Sequence, residues 1–341
     1  MFVIYEELNK QSKEYIIKEL DDKIKDNNIL ERCYKEINIL YDKSLLFIIE
    51  YLYKYKQKNK GISYYFEGSI NNLLLLYILG INNVDPIKYK LPYELFDDKI
   101  IKLKILNDTG EGLIHYLNKC DNDLKMVKGS FVKEDSKIDE LIDNHYLLIP
   151  SFAPPEDMLL KINFENFMLE TVDDYRKYTN LYLPIKISEK YFIVEKNVSL
   201  KNVLDNDFEQ DLCNILKPET IADYIKIKSI SRSTRLWKLN QDELVKNNRV
   251  NIKNLIANKE DIFDYLIEHF IDKDNAIEIV KCIGSKFSKE NSYLWNKYVE
   301  IMKDNNCSEE FINVISKIIY IRGRGEAVSE CLFVLDEKNY L

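Results

Sequence analysis

Glu67-Gly68-Ser69 turns the chain straight into an apolar run, Asn71 to Leu79, with the spacing of a short helix closed by Gly80 as a left-handed cap. A glycine-serine turn at a helix start gathers free backbone N–H groups and the positive end of the helix dipole, which suits an anion such as a phosphate. The same residues also read as an ordinary loop and helix that pack leucines into a core. Just upstream, Lys54-Tyr55-Lys56-Gln57-Lys58-Asn59-Lys60 interleaves basic and aromatic side chains. Lys54, Lys56, Lys58 and Lys60 are either a solvated helix end or contacts to a DNA backbone. Arg322-Gly323-Arg324-Gly325 places two arginines on a glycine turn, fit for phosphate contact or for a plain exposed connection.

Other chemistries have little to stand on. His115, His145 and His269 fall in separate elements without metal-ligand spacing, and no Ser-His-Asp or Cys-His constellation can be assembled. The six cysteines, Cys33, Cys120, Cys213, Cys282, Cys307 and Cys331, contain no CxxC pair and read as free buried thiols in a reducing compartment. Trp237 and Trp295 read as core anchors.

The elements that must position these residues change character along the chain. Apolar positions from Tyr15 to Leu40 keep helical spacing, and a second helix is predicted from about Asp42 to Tyr55. Strands are predicted at Lys99–Leu106, His145–Pro150 and Met158–Phe164, with helices at Glu111–Lys119 and Glu165–Tyr178 and a strand pair over Leu183–Glu195. After Leu200 helical spacing dominates: 206–216, 218–228, 259–270, 273–287, 290–305 and 308–321. A mixed α/β first half, residues 1–199, is thus joined to an all-helical second half, residues 200–341.

At 341 residues, 46% hydrophobic and 31% charged, the chain can bury a sizeable core. A net charge of −8 argues against coating nucleic acid along the whole surface, so any DNA contact must be local. The first thirty residues lack the pattern of a signal peptide, no run is long and apolar enough to span a bilayer, and a cytoplasmic protein without a membrane partner is expected.

The order of the pieces carries more than any one of them. Gly-Ser, an apolar helix, Leu79-Gly80-Ile81, Val84-Asp85-Pro86 and then Leu91-Pro92-Tyr93-Glu94-Leu95-Phe96 closely resembles the start of the palm in bacterial C-family replicative DNA polymerases, the alpha subunit of DNA polymerase III. Lys217-Pro218-Glu219-Thr220 through Arg232-Ser233-Thr234-Arg235-Leu236-Trp237, and then Ile252 to Ala327, resemble the fingers of the PolC type. The resemblance implies a palm-like nucleotidyltransferase-type mixed sheet, a shortened or absent thumb at about 121–145, and a helical fingers-like region. The phosphoesterase, exonuclease, oligonucleotide-binding and clamp-binding parts of the family have no counterpart.

The resemblance also implies where chemistry would sit, and there the residues depart from the pattern. Two-metal phosphoryl transfer needs closely spaced carboxylates. The two palm aspartates fall on Leu103 and Ile105, counted back from Thr109-Gly110-Glu111, and the third falls on Asn163. Glu67 stands where the family's phosphate-facing arginine is expected, ahead of Gly68 and Ser69. In the fingers Arg324 is retained but Glu326 replaces a histidine, and Arg232 and Arg235 replace histidine and aspartate. The expectation is a degenerate polymerase site with no metal or cofactor. Its bearer would bind DNA, as primer-template or single strand, through the four lysines with Arg232, Arg235, Arg322 and Arg324, or would bind a replication protein. Two rivals stay open: an active polymerase or nucleotidyltransferase holding Mg²⁺ or Mn²⁺ on relocated carboxylates, Asp108 with Glu165, and a protein scaffold that touches no nucleic acid.

Overall fold

Asp26 interrupts the helical spacing of the first forty residues by accepting hydrogen bonds from the N–H groups of Asn28 (2.8 Å) and Ile29 (3.3 Å), so two helices form where the periodicity runs on. The computed structural model describes residues 2–43, 45–58, 64–98, 101–105, 124–131, 142–150, 159–164, 167–171, 192–195, 206–283 and 292–337. The chain divides into two compact units, Met1–Asp85 with Asp97–Leu200, and Pro86–Phe96 with Lys201–Leu341.

The first unit opens with α1 (Phe2–Lys23), α2 (Asn27–Asp42) and α3 (Leu46–Lys58), whose facing residues Ile16, Leu20, Cys33, Ile37, Leu40, Ile49 and Leu52 are buried. Ile16, Leu20, Cys33, Ile37 and Leu40 are among the apolar positions picked out by spacing. Strand β1 (Tyr64–Glu67) then enters a 3₁₀ turn, Ser69–Asn72, and a short helix α4 (Leu74–Ile78). The single helix predicted over Asn71–Leu79 is broken at Leu73, which is extended (φ −88°, ψ 117°). Side chains take over the backbone groups that a continuous helix would have used. Asn71 donates to the carbonyls of Phe66 (2.8 Å) and Gly68 (3.0 Å), Glu36 accepts from the Leu75 N–H (2.8 Å), and Arg32 donates to the Asn72 carbonyl (3.0 Å).

Glu36 is fully buried and pairs with Arg32 at 2.9 Å. Burial pushes its carboxyl above the ordinary range, although the N–H groups of α4 and Arg32 oppose that. The native chain therefore holds this proton more tightly than the unfolded chain. Its stability contribution is full below the unfolded value and is lost as pH rises toward the folded one. Glu36→Gln is expected to flatten that part of the stability curve when urea midpoints are compared between about pH 4 and 8. An unchanged slope would mean that another group carries the dependence.

The sheet of this unit has the order β1-β2-β7-β4-β3, with β2 at Ile101–Ile105, β3 at Leu124–Phe131, β4 at Ile142–Pro150 and β7 at Phe192–Glu195. Neighbours are antiparallel except β2 and β7, which run parallel. β5 (Leu159–Phe164) and β6 (Phe167–Thr171) form a separate antiparallel pair. Mixed α/β character is as expected, but two local readings need correction. The stretch 121–145, where a shortened or absent thumb is expected, supplies β3 and the start of β4. The helix predicted from Glu165 begins instead as strand β6, where Phe167 pairs with Phe164 and β-prone Phe and Thr outweigh the helical spacing. The expected third-aspartate strand does not adjoin β2, since β2 has β1 and β7 as neighbours and β5 has β6. The helix predicted at Glu111–Lys119 lies outside the described residues.

The second unit is helical: α5 (Asp207–Leu216), α6 (Ile221–Ser231), α7 (Asp242–Lys246), α8 (Lys259–Glu268), α9 (Lys273–Ile283), α10 (Ser292–Asp304), α11 (Glu309–Lys317) and α12 (Arg324–Glu337). Asn206, Thr220, Asn258 and Ser308 cap α5, α6, α8 and α11, and Thr220 with Asp223 forms a capping box. Leu212, Ile227, Leu236, Trp237, Leu266, Ile279, Met302 and Ile315 belong to one continuous core, against which Trp295 is partly packed. Pro86–Phe96 joins this unit although it lies early in the sequence. Leu95 enters the core, Arg324 donates to the carbonyls of Tyr89 and Lys90 (3.3 Å each), and Lys273 pairs with Glu94. No helix was expected at α12, because its glycines suggest a turn. Glu260 stabilises its start by accepting the Arg324 N–H at 2.5 Å.

Candidate functional site

Gly68 adopts φ 89° and ψ −171°, a region closed to residues with a side chain, and this lets β1 turn sharply into the 3₁₀ segment. The Ile70 N–H at the turn is already claimed. Asp98 Oδ2 accepts the Ile70 N–H at 2.7 Å, and its carboxylate lies against Gly68 so closely that an added Cβ would meet Oδ2 at 2.6 Å. Ser69 Oγ donates to Asp97 Oδ1 at 3.1 Å and accepts the Asp97 N–H at 3.1 Å. The position that suits a phosphate is thus held by the protein's own carboxylates. Glu67 next to it pairs with Lys104 of β2 at 2.6 Å.

On β2, Leu103 stands opposite Phe66 of β1 and beside Val194 of β7, and its side chain is 1% exposed. It is a core residue of the sheet. An aliphatic side chain enclosed in this way offers no electron pair to a hard cation, so the residues at this place do not fit the magnesium that the resemblance implies. Ile105 is the last residue of β2, and Asn163 lies on β5, opposite Met168. The backbone pairing therefore does not put the strand of Asn163 beside that of Leu103. Asp108 and Glu165 lie outside the described residues.

The basic candidates separate into two groups. Lys54 pairs with Glu50 and stands over the Tyr15 ring (4.7 Å), Lys56 stands over the Tyr64 ring (5.0 Å), and Lys58 is exposed. Lys60 lies outside the described residues. Arg322 does not sit on an exposed turn: it is 2% exposed and paired with Glu326 (2.9 Å) and Glu330 (2.5 Å). Arg324 is the first residue of α12 and donates to Asp261 and Asp264, both at 2.9 Å. Asp261 and Glu260, then Asp264, raise its guanidinium further against the opposing effect of burial. Arg322 and Glu326 are buried and Arg324 is partly buried at the start of α12, rather than on the exposed glycine turn that the sequence suggests. Arg232 and Arg235 are exposed, the former 3.6 Å from Glu330.

Burial pushes the Cys33 and Cys331 thiols up to about 12, as expected of unreactive core cysteines. The His269 ring stacks on Tyr265, which stacks on Phe311. Among the described residues, no three His, Cys, Asp or Glu side chains converge as a metal site. Likewise, no helix among them is long and apolar enough to cross a membrane. Two arrangements are not legible in the sequence, the Arg32–Glu36 clamp and the hold of Asp98 on the turn. Glu36 left a trace, an acid three residues after Cys33 within the apolar stripe of α2, and Asp98 could be seen only as one of several acids flanking the β2 strand.

Comparison with known proteins bears on the same stretch. Residues 6–99 match the family described as the bacterial DNA polymerase III alpha NTPase domain. The chain is 29% identical over 125 residues to the PolC-type DNA polymerase III of Mycoplasma genitalium, a match covering 37% of this chain and 8% of that protein. It is 26% identical over 133 residues to the PolC-type enzyme of Streptococcus pyogenes, covering 38% of this chain and 9% of the relative. The matched stretch spans less than a tenth of the length of these relatives. A region similar to PolC-type DNA polymerase III alpha therefore lies within it.

Proposed function

We propose that this chain is a catalytically inactive relative of the PolC-type polymerase core, palm-like over residues 1–199 and fingers-like over 200–341, which works in the cytoplasm by binding DNA or a component of the replication machinery. The observation that carries the proposal is Leu103, an apolar residue sealed into the sheet where the resemblance calls for a metal-binding carboxylate. The turn points the same way. Asp98 holds the Ile70 N–H at the turn where a triphosphate would sit, and Glu67 beside it repels phosphate where an arginine would attract it. Several changes that each disfavour nucleotide and metal are more consistent with lost selection for polymerisation than a single substitution would be.

Primer extension with Mg²⁺ and with Mn²⁺ is expected to give no template-dependent incorporation, and titration of a deoxynucleoside triphosphate with Mn²⁺ is expected to give no heat of binding. Incorporation that disappears in Asp108→Ala would overturn the proposal in favour of relocated carboxylates.

A further inference from the structure

Between α6 and α7 the chain makes two left-handed turns without glycine, at Arg235 (φ 58°) and Leu239 (φ 58°). Such conformations cost free energy in residues with side chains and persist where the surroundings enforce them. Here the surroundings are a neighbouring stretch of the same unit. The Thr234 N–H donates to the Tyr320 carbonyl (3.0 Å), the Ile319 N–H donates to the Thr234 carbonyl (3.2 Å), and the Arg322 N–H donates to Ser233 Oγ (3.2 Å). Asn240 Nδ2 donates to the carbonyls of Arg235 (3.0 Å) and Val314 (3.1 Å), which fastens the loop to α11 one turn before Lys317. The buried side of the loop is Leu236 and Trp237.

What this leaves outside is a group of cations next to exposed apolar side chains. Arg232, Arg235, Lys238 and Lys317 are exposed, in a chain that is acidic overall. Among the described residues Arg235 and Lys317 have no carboxylate within ion-pair distance, while Lys238 lies over the Phe208 ring (5.8 Å) and Arg232 pairs with Glu330 at 3.6 Å. Exposed apolar surface accompanies the cations, with Leu239 78% and Tyr320 39% exposed.

We propose that the Arg232–Leu239 loop, together with Lys317 and Tyr320, is a strip that binds single-stranded DNA, its cations following the phosphates and Tyr320 stacking on an unpaired base. This rests on the DNA-binding part of the function proposed above, and adds the kind of strand and the place where it lies. A row of cations beside an aromatic and an aliphatic surface suits a strand with its bases unstacked, whereas a duplex would leave the apolar part without a partner.

The test is fluorescence anisotropy of the full chain with a labelled oligothymidine of about 20 nucleotides and a hairpin duplex of similar charge, from about 50 to 300 mM NaCl. Single-strand binding tighter than duplex binding is expected, with log affinity falling by about 0.7 per engaged phosphate for each unit of log salt. Arg235→Glu with Lys238→Glu and Lys317→Glu should weaken it at least tenfold and flatten the salt dependence. Tyr320→Ala should weaken it about fivefold or more with the salt dependence kept. An equal charge change on α9 and α10, Lys281→Glu with Lys297→Glu and Lys303→Glu, should have a much smaller effect, and circular dichroism checks that each variant is folded. If the strip variant binds as the parent does, or no more weakly than the control, the strip is wrong while DNA binding elsewhere on the chain stands. Equal affinity for the duplex removes the single-strand preference. If the parent binds neither probe at the lowest salt, the broader DNA-binding proposal fails together with the strip.

Discussion

Glu330→Ala is expected to lower the stability of the helical unit by about 3–5 kcal/mol, seen as a shift of its urea midpoint by circular dichroism. Glu330 lies within a buried charge cluster. Lys228 and Glu209, both 0% exposed, pair at 2.7 Å, and Ser231 Oγ donates to the other Glu209 oxygen at 2.8 Å. Arg322 reaches Glu330 at 2.5 Å and Glu326 at 2.9 Å, and Lys228 lies 3.7 Å from Glu330. Lys228, Arg322 and Arg232 supply three positive charges, and Glu209, Glu326 and Glu330 three negative ones, so the cluster is neutral as a whole. Removing one carboxylate leaves cations in a medium that solvates them poorly, and this penalty exceeds the worth of the lost contacts. Glu330→Leu combined with Arg322→Met should recover much of the loss, because a well-packed apolar pair removes both charges together. Acid provides a second readout. Burial alone would raise the Glu330 carboxyl, but Arg322, then Lys228 and Arg232, hold it below its ordinary value. The stability it brings is present above the unfolded carboxylate value and is lost as pH falls through the depressed folded one, a loss that Glu330→Gln should remove. A parent-like midpoint for Glu330→Ala would show that the cluster is not sealed from water.

The sequence revealed most where a single chemical rule governs. Apolar positions such as Ile16, Leu20, Ile37 and Leu40 have no favourable place but a core, so spacing found α1 and α2; Asn206, Asn258 and Ser308 each begin a helix for the local reason that their side chains can cap one. It was silent where the deciding partner lies far along the chain. The charges of Arg322 and Arg324 looked like surface cations because their partners Glu330, Asp261 and Asp264 belong to other turns and helices. Strand β3 hid in a polar stretch because its stability comes from pairing with β4, and β6 defeated its helical spacing by pairing with β5. At the candidate site, Leu103 could be named from the resemblance alone, but that it is sealed between its neighbours, and that Asp98 fills the turn, are facts of packing.

Gly68→Ala should be the most damaging single methyl added to the first unit. Two costs coincide at this residue. A left-handed, extended backbone (φ 89°, ψ −171°) costs a residue with a side chain about 1–3 kcal/mol, and the new Cβ would stand 2.6 Å from Asp98 Oδ2, a distance at which one of the two must move. If the carboxylate moves, the Ile70 N–H loses its charged acceptor at 2.7 Å, worth a further ~1.5–3 kcal/mol. Gly80→Ala is the natural comparison, because φ there is also positive (67°) but nothing lies within 4 Å of the added atom, so only the backbone cost of about 1–2 kcal/mol applies. Asp98→Ala separates the two contributions. By itself it should destabilise through the freed N–H, and in the Gly68→Ala background it should cost much less, because the steric conflict goes with the carboxylate and only the backbone strain remains. The coupling, read from urea midpoints of the four proteins, measures how firmly the carboxylate occupies the turn. Strict additivity would mean that Asp98 does not hold the position, and that the turn is open to an anion after all.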